Sequence, residues 1–85
     1  MKTFTHTIQD ELGIHARPAG ALAKVAQGLK SVVTIDNGTK KADVKRLMAV
    51  MSMGIKQGHT ITVTVEGEDE ETAMVTVEEF FKNNL

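Results

Sequence analysis

One segment of the chain gathers groups that can do chemistry: Gly13-Ile14-His15-Ala16-Arg17-Pro18-Ala19. Beyond His15, Ala19, Leu22, Ala23 and Ala26 fall at i, i+3, i+4 and i+7, with Val25 and Leu29 widening the stripe. That spacing predicts a helix over 16–27 with one apolar face. His15 then stands just ahead of the helix, with Arg17 in its first turn and Gly13 freeing the loop that leads in. Pro18 suits that first turn, where a missing N–H costs nothing. A helix N-terminus offers unpaired N–H groups and a partial positive charge, which together attract anions. Arg17 adds a forked donor for phosphate oxygens. These residues suit a histidine that accepts a phosphoryl group, its charge held by the amides of Ala16 and Arg17 and by the guanidinium. The same short string also fits an exposed His beside a solvated Arg.

The elements that must position this segment follow from the rest of the pattern. Thr3-Phe4-Thr5-His6-Thr7-Ile8 alternates Thr with larger residues, which predicts a strand burying Phe4, His6 and Ile8. Gly28 is placed to close the first helix as its C′ residue. Ser31 to Asp36 reads as a second strand, and Asn37-Gly38 predicts a type I′ hairpin turn into a short third strand over about 40–43. Asp43 is placed to cap a second, shorter helix ending at Gly54. Thr60 to Val65 alternates, which predicts a fourth strand with Ile61, Val63 and Val65 facing inward. The acidic run Glu68-Asp69-Glu70-Glu71 suits the positive end of a last helix, whose apolar stripe is Ala73, Met74, Val77, Phe80 and Phe81. The order β-α-β-β-α-β-α, with one-faced strands and helices, predicts an α+β open-faced sandwich. Its four-stranded antiparallel sheet would carry all three helices on one face.

Composition narrows the functions open to such a domain. With 85 residues the chain is expected to form one domain, 1–85, and a catalytic cleft of its own would be hard to fit. It has no Cys, so thiol catalysis, disulfides, thiolate zinc sites and iron–sulfur clusters are excluded. Ten Lys and Arg against eleven Asp and Glu argue against sequence-independent binding of nucleic acid. Three Phe are the only aromatics and all fit the core, which argues against a single-stranded RNA platform. No apolar run approaches about 18 residues and no leader opens the chain, so a cytoplasmic protein without membrane insertion is expected. There is no mid-chain Asp-Ser pair of the kind an acyl carrier uses. Carriers, small binding modules and regulators remain.

A second motif, Met48-Ala49-Val50-Met51-Ser52-Met53-Gly54-Ile55, lies on the second predicted helix. Val50 and Met53 are assigned to the core, while Leu47, Met48 and Met51 crowd one side as an exposed patch. Flexible thioethers suit a surface that meets several partners. Together with the segment around His15, in register along the whole chain, this motif resembles the HPr family. These are the histidine-containing phosphocarriers of the phosphoenolpyruvate-dependent sugar phosphotransferase system.

The resemblance implies a carrier and not an enzyme, with His15 phosphorylated on Nδ1 by enzyme I and Arg17 stabilising the phosphate. It implies onward transfer to sugar-specific IIA domains, with a paralogue in a regulatory phosphorelay, or one feeding a phosphoryl-dependent kinase, as the alternative. The implied docking surface comprises Ala16, Gly20, Lys24, Arg46, Leu47, Met48 and Met51, with Lys45 adding to its basic rim. No cofactor is implied, and a monomer is expected. Two positions depart from the family pattern. Arg46 stands where Gram-positive members usually carry a regulatory serine, so that switch is expected to be absent, and Ser52 is read as a small helix-end residue. Leu12 replaces a small polar residue that helps cap the active-site helix in many members. The Leu85 carboxylate could approach the site or fray. His6 and His59 are read as structural or solvated, and no metal-binding spacing links the three histidines.

Overall fold

These patterns resolve into seven elements in the computed structural model, which describes residues 1–85. They are β1 (Lys2–Thr7), α1 (Ala16–Gln27), β2 (Val32–Asp36), β3 (Lys41–Asp43), α2 (Leu47–Ser52), β4 (Thr60–Glu66) and α3 (Glu70–Asn84). The strands form one antiparallel sheet in the order β1-β4-β2-β3. Period-2 alternation sets its register: Phe4 lies opposite Val63, His6 opposite Ile61, and Ile35 opposite Val63 on the other side. One face thereby gathers Val33, Ile35, Ile61, Val63 and Val65, all fully buried. The opposite face is polar, pairing Thr3, Thr5 and Thr7 with Thr64, Thr62 and Thr60. A one-residue slip would exchange the two faces, so the register is strongly specified.

The three helices cover the apolar face. From α1 come Leu22 and Ala26, from α2 Val50, and from α3 Ala73, Val77 and Phe81. Phe81 is fully buried and meets Phe4, His6 and Phe80 edge-on, at ring-centroid distances of 5.9, 5.4 and 6.3 Å. Truncating an aromatic so enclosed to Ala costs about 3–5 kcal/mol. Met74 and Phe80 pack against the core from its margin. The expected stripe of α3 is thus present, with its two outer members half-buried.

The loop that carries His15 hangs between two distant parts of the chain. The amides of Gln9 and Asp10 both donate to the main-chain oxygen of Leu85, the latter at 3.1 Å, and the Leu85 side chain is buried. Ile14 donates to the Ile55 carbonyl at 3.1 Å. Gly13 sits against that same carbonyl with φ of +68°, so a Cβ there would run into the Ile55 backbone. That close approach is why position 13 tolerates only glycine.

Three local expectations are corrected. The Asn37-Gly38 turn is not type I′, because that turn needs positive φ at both residues and only Gly38 has it. Asn37 instead folds a longer loop around its side chain, Oδ1 accepting from the amides of Thr39 and Lys40 at 3.0 and 2.8 Å. Asp43 does not cap α2; it ends β3, and its carboxylate accepts from the Lys45 amide at 2.9 Å. Arg46 occupies the cap position without a side-chain cap bond; the helix closes as expected at Gly54, which follows the C-cap Met53 with φ of +65°. Gly28 does close α1, but as its C-cap with a right-handed φ of −83°.

Candidate functional site

His15 is the N-cap of α1, with φ −111° and ψ −176°, and its side chain caps nothing. Its extended backbone turns the chain into the helix while the half-buried imidazole stays outside. The first intrahelical bond is donated by Ala19 to the His15 carbonyl at 3.0 Å. Pro18, buried in the first turn, has no N–H. The amides of Ala16 and Arg17 therefore remain without an acceptor in the chain, and both residues are exposed. No acidic residue occupies the first turn. Two free amides, the positive end of a three-turn helix and the Arg17 side chain thus share one edge with the ring.

Around the ring lies an open depression of about 300 Å³ lined by Asp10, His15, Arg17, Pro18, Ala21 and Asn84. Asp10 Oδ1 lies 3.9 Å from Nε2 of His15 and also accepts from the Leu12 amide at 2.8 Å. Nδ1 makes no hydrogen bond within the chain. Asn84, in the last turn of α3, reaches the same depression while its Nδ2 donates to the Phe80 carbonyl at 3.0 Å. The Leu12 side chain is 71% exposed and takes no part.

The patch on α2 lies open beside this edge. Met48 is 75% exposed, and Leu47 and Met51 are about half as open, at 37% and 38%. Val50 and Met53 of the same motif are buried in the core, as their spacing indicated. α1, which carries Ala16, Gly20 and Lys24, and α2, which carries Leu47, Met48 and Met51, pack against each other. Nothing lies within 4 Å of a Cβ built on Gly20, so that stretch of α1 is bare. Lys24, Lys45 and Arg46 are all exposed.

The remaining residues singled out from the sequence lie apart from this edge. Ser52 Oγ donates to the Ala49 carbonyl at 2.8 Å, finishing the helix. His59 Nδ1 accepts from the Lys56 amide at 3.3 Å in an exposed turn. His6 lies on the inward face of β1 against Phe81, its Nε2 buried without a partner. No three His, Cys, Asp or Glu side chains cluster closely enough to share a metal ion.

Two members of the site were not singled out from the sequence, Asp10 and Asn84. Asp10 reads locally as a loop acid, and Asn84 as the polar end of a helix. Only the packing of α3 alongside β1, with their ends joined where the Gln9 and Asp10 amides meet the Leu85 main-chain oxygen, sets them beside His15. Nothing local separates Asp10 from its neighbour Glu11, which does not line the depression.

A family model described as the PTS HPr component phosphorylation site matches residues 2–83. The chain is 44% identical over 73 residues to a phosphocarrier protein HPr of Lysinibacillus sphaericus, covering 86% of this chain and 83% of the relative. It is 39% identical over 79 residues to one from Mycoplasma capricolum, covering 93% and 89%. Among solved structures, a histidine-containing phosphocarrier protein of Mycoplasma superposes with a TM-score of 0.92 at 36% identity, over 96% of this chain and 93% of that one.

Proposed function

The chain belongs to the HPr family of phosphocarriers of the phosphotransferase system, and from that premise we propose that His15 accepts a phosphoryl group from enzyme I and passes it to sugar-specific IIA domains. The protein is a carrier and not an enzyme, as are its named relatives. The observation that carries the reading is the edge at the start of α1: an accessible imidazole, the unpaired amides of Ala16 and Arg17, and no competing acid in the first turn.

In the transfer, the lone pair on Nδ1 of His15 attacks the phosphorus of phosphorylated enzyme I. The bond from phosphorus to the donor nitrogen breaks, and its electron pair stays with the donor. The amides of Ala16 and Arg17 and the guanidinium of Arg17 face the new phosphoryl oxygens. Little covalent work is asked of the carrier, because phosphoryl transfer depends mainly on positioning and charge stabilisation, which the partner shares. A shallow exposed edge serves such a handover better than a closed pocket.

Docking falls to Ala16, Gly20, Leu47, Met48 and Met51, ringed by Arg17, Lys24, Lys45 and Arg46. Thioethers adapt to partners of different shape, and the basic ring steers acidic partners to the apolar centre. With Arg46 in place of a serine, no phosphoryl acceptor for a serine kinase exists at that position. Residues 1–85 act as one carrier domain, a monomer working in the cytoplasm; no helix is long and apolar enough to cross a membrane. The test is intact-mass spectrometry after incubation with enzyme I and phosphoenolpyruvate, kept alkaline because phosphohistidine is acid-labile. One added phosphoryl group, lost on acidification and never gained by folded His15→Ala, is the expected result. A phosphoryl group retained by His15→Ala would overturn the assignment.

A further inference from the structure

We propose that Asp10 is a positioning residue for His15, its carboxylate holding the ring proton on Nε2 so that Nδ1 is presented as the nucleophile. The reaction it serves is the phosphocarrier reading above; the contact itself rests on geometry alone.

Asp10 is fixed from two sides. Its Oδ1 accepts from the Leu12 amide at 2.8 Å, and its own amide donates to the main-chain oxygen of Leu85 at 3.1 Å. So held, Oδ1 lies 3.9 Å from Nε2 of His15 and forms the ring's single ionic contact. That separation is too long for a hydrogen bond and short enough for a direct electrostatic pull. Contacts of this kind commonly tighten when the reacting complex forms. The other groups facing the depression are Arg17 and Asn84, neither of which reaches Nε2 by hydrogen bond or ion pair.

A neutral imidazole carries one proton, and the nitrogen that holds it is chosen by what faces each position. A carboxylate beside Nε2 draws the proton there and leaves the Nδ1 lone pair free, as an orienting acid does for other nucleophile-activating or metal-binding histidines. The proton count then stays constant through the cycle. As the bond from Nδ1 to phosphorus forms, the ring becomes cationic with its proton still on Nε2, and Asp10 faces that charge. On onward transfer the bond from Nδ1 to phosphorus breaks, its pair returns to Nδ1, and a neutral ring with Nε2–H leaves. No proton enters or departs.

Asp10→Asn is the discriminating variant, because its amide oxygen still accepts from the Leu12 N–H while the charge is gone. Nitrogen-15 NMR of the unphosphorylated full chain at alkaline pH reads the ratio of Nε2–H to Nδ1–H tautomers of His15. The ratio is expected to fall about two- to fivefold in Asp10→Asn, the range an exposed ionic contact supplies. The turnover of phosphoryl acceptance should fall by a similar factor, with the Michaelis constant for enzyme I and the melting temperature unchanged. An unaltered tautomer ratio overturns the proposal, as does a shifted ratio with no loss of rate. Failure of the wild-type chain to take phosphate would sink the phosphocarrier reading instead, and the tautomer ratio would still decide whether Asp10 orients the ring.

Discussion

The N-termini of α1 and α3 begin from the same backbone physics and end in opposite states. Each presents unpaired amides and a partial positive charge. At α3 the chain answers that charge itself, with Asp69 at the cap and Glu70 and Glu71 in the first turn. Glu70 lies 2.5 Å from the Met1 ammonium. Asp69 is tied to the start of β2, accepting from the Ser31 hydroxyl and from the Lys30 amide at 3.0 Å. The Ser31 hydroxyl first, and the Lys30 amide second, hold the Asp69 carboxyl below its ordinary value. At α1 the first turn has no acid at all. Side chains, not helices, decide which of two like ends is a clamp and which is left open for an anion from outside.

The largest effect is expected from Arg17→Ala. Loss of one charge-assisted hydrogen bond, about 1.5–3 kcal/mol, should slow phosphoryl acceptance roughly ten- to hundredfold in rapid-quench kinetics while leaving some transfer. An unchanged rate would remove Arg17 from the site. Next, Ala16→Glu makes the start of α1 resemble that of α3. It should stabilise the helix by about 0.3–1 kcal/mol in thermal denaturation. Acceptance should fall about tenfold, the factor matching about 1.4 kcal/mol of repulsion. A gain in stability without loss of transfer would mean that the free amides do not face the phosphate.

Met48→Glu, on the exposed patch, should raise the Michaelis constant for enzyme I several-fold and leave the melting temperature unchanged; a fall in stability would return that side chain to the core. The smallest effect on transfer, none, is expected from Asp69→Asn at the opposite end. Because the folded carboxyl is held below its unfolded value near 3.8, its contribution is present above that pH and lost as pH falls through the lower folded value. Asp69→Asn should therefore unfold more readily at pH 7 and converge with wild type in strong acid. A constant difference down to the lowest pH would assign the effect to the hydrogen bonds alone.

Much of the fold was legible because the signals are local and repeated. Alternation of Thr with apolar residues marked β1 and β4, and the spacing of Ala19, Leu22, Ala23 and Ala26 marked α1 over its full length. The division of the second motif, with Val50 and Met53 buried and Met48 and Met51 open, also followed from periodicity. The failures were at junctions. Asn37 used its side chain to build a loop where a mirror-image turn was expected, and Asp43 bonded the Lys45 amide without starting a helix. A polar side chain beside a turn has several amides within reach, and short-range preference does not choose among them.

By itself the sequence determined that a histidine stands at the mouth of a helix with an arginine in its first turn, because that arrangement depends on residues a few positions apart. Only the tertiary structure decided what surrounds that histidine. Asp10 and Asn84 share its depression because α3 packs on β1 through Phe81, and because Leu85 offers its main-chain oxygen to the amides of Gln9 and Asp10. Those contacts join the two ends of the chain. Periodicity carries no information over such a separation; only the burial of a shared core, which fixes every loop that crosses its rim, brings them together.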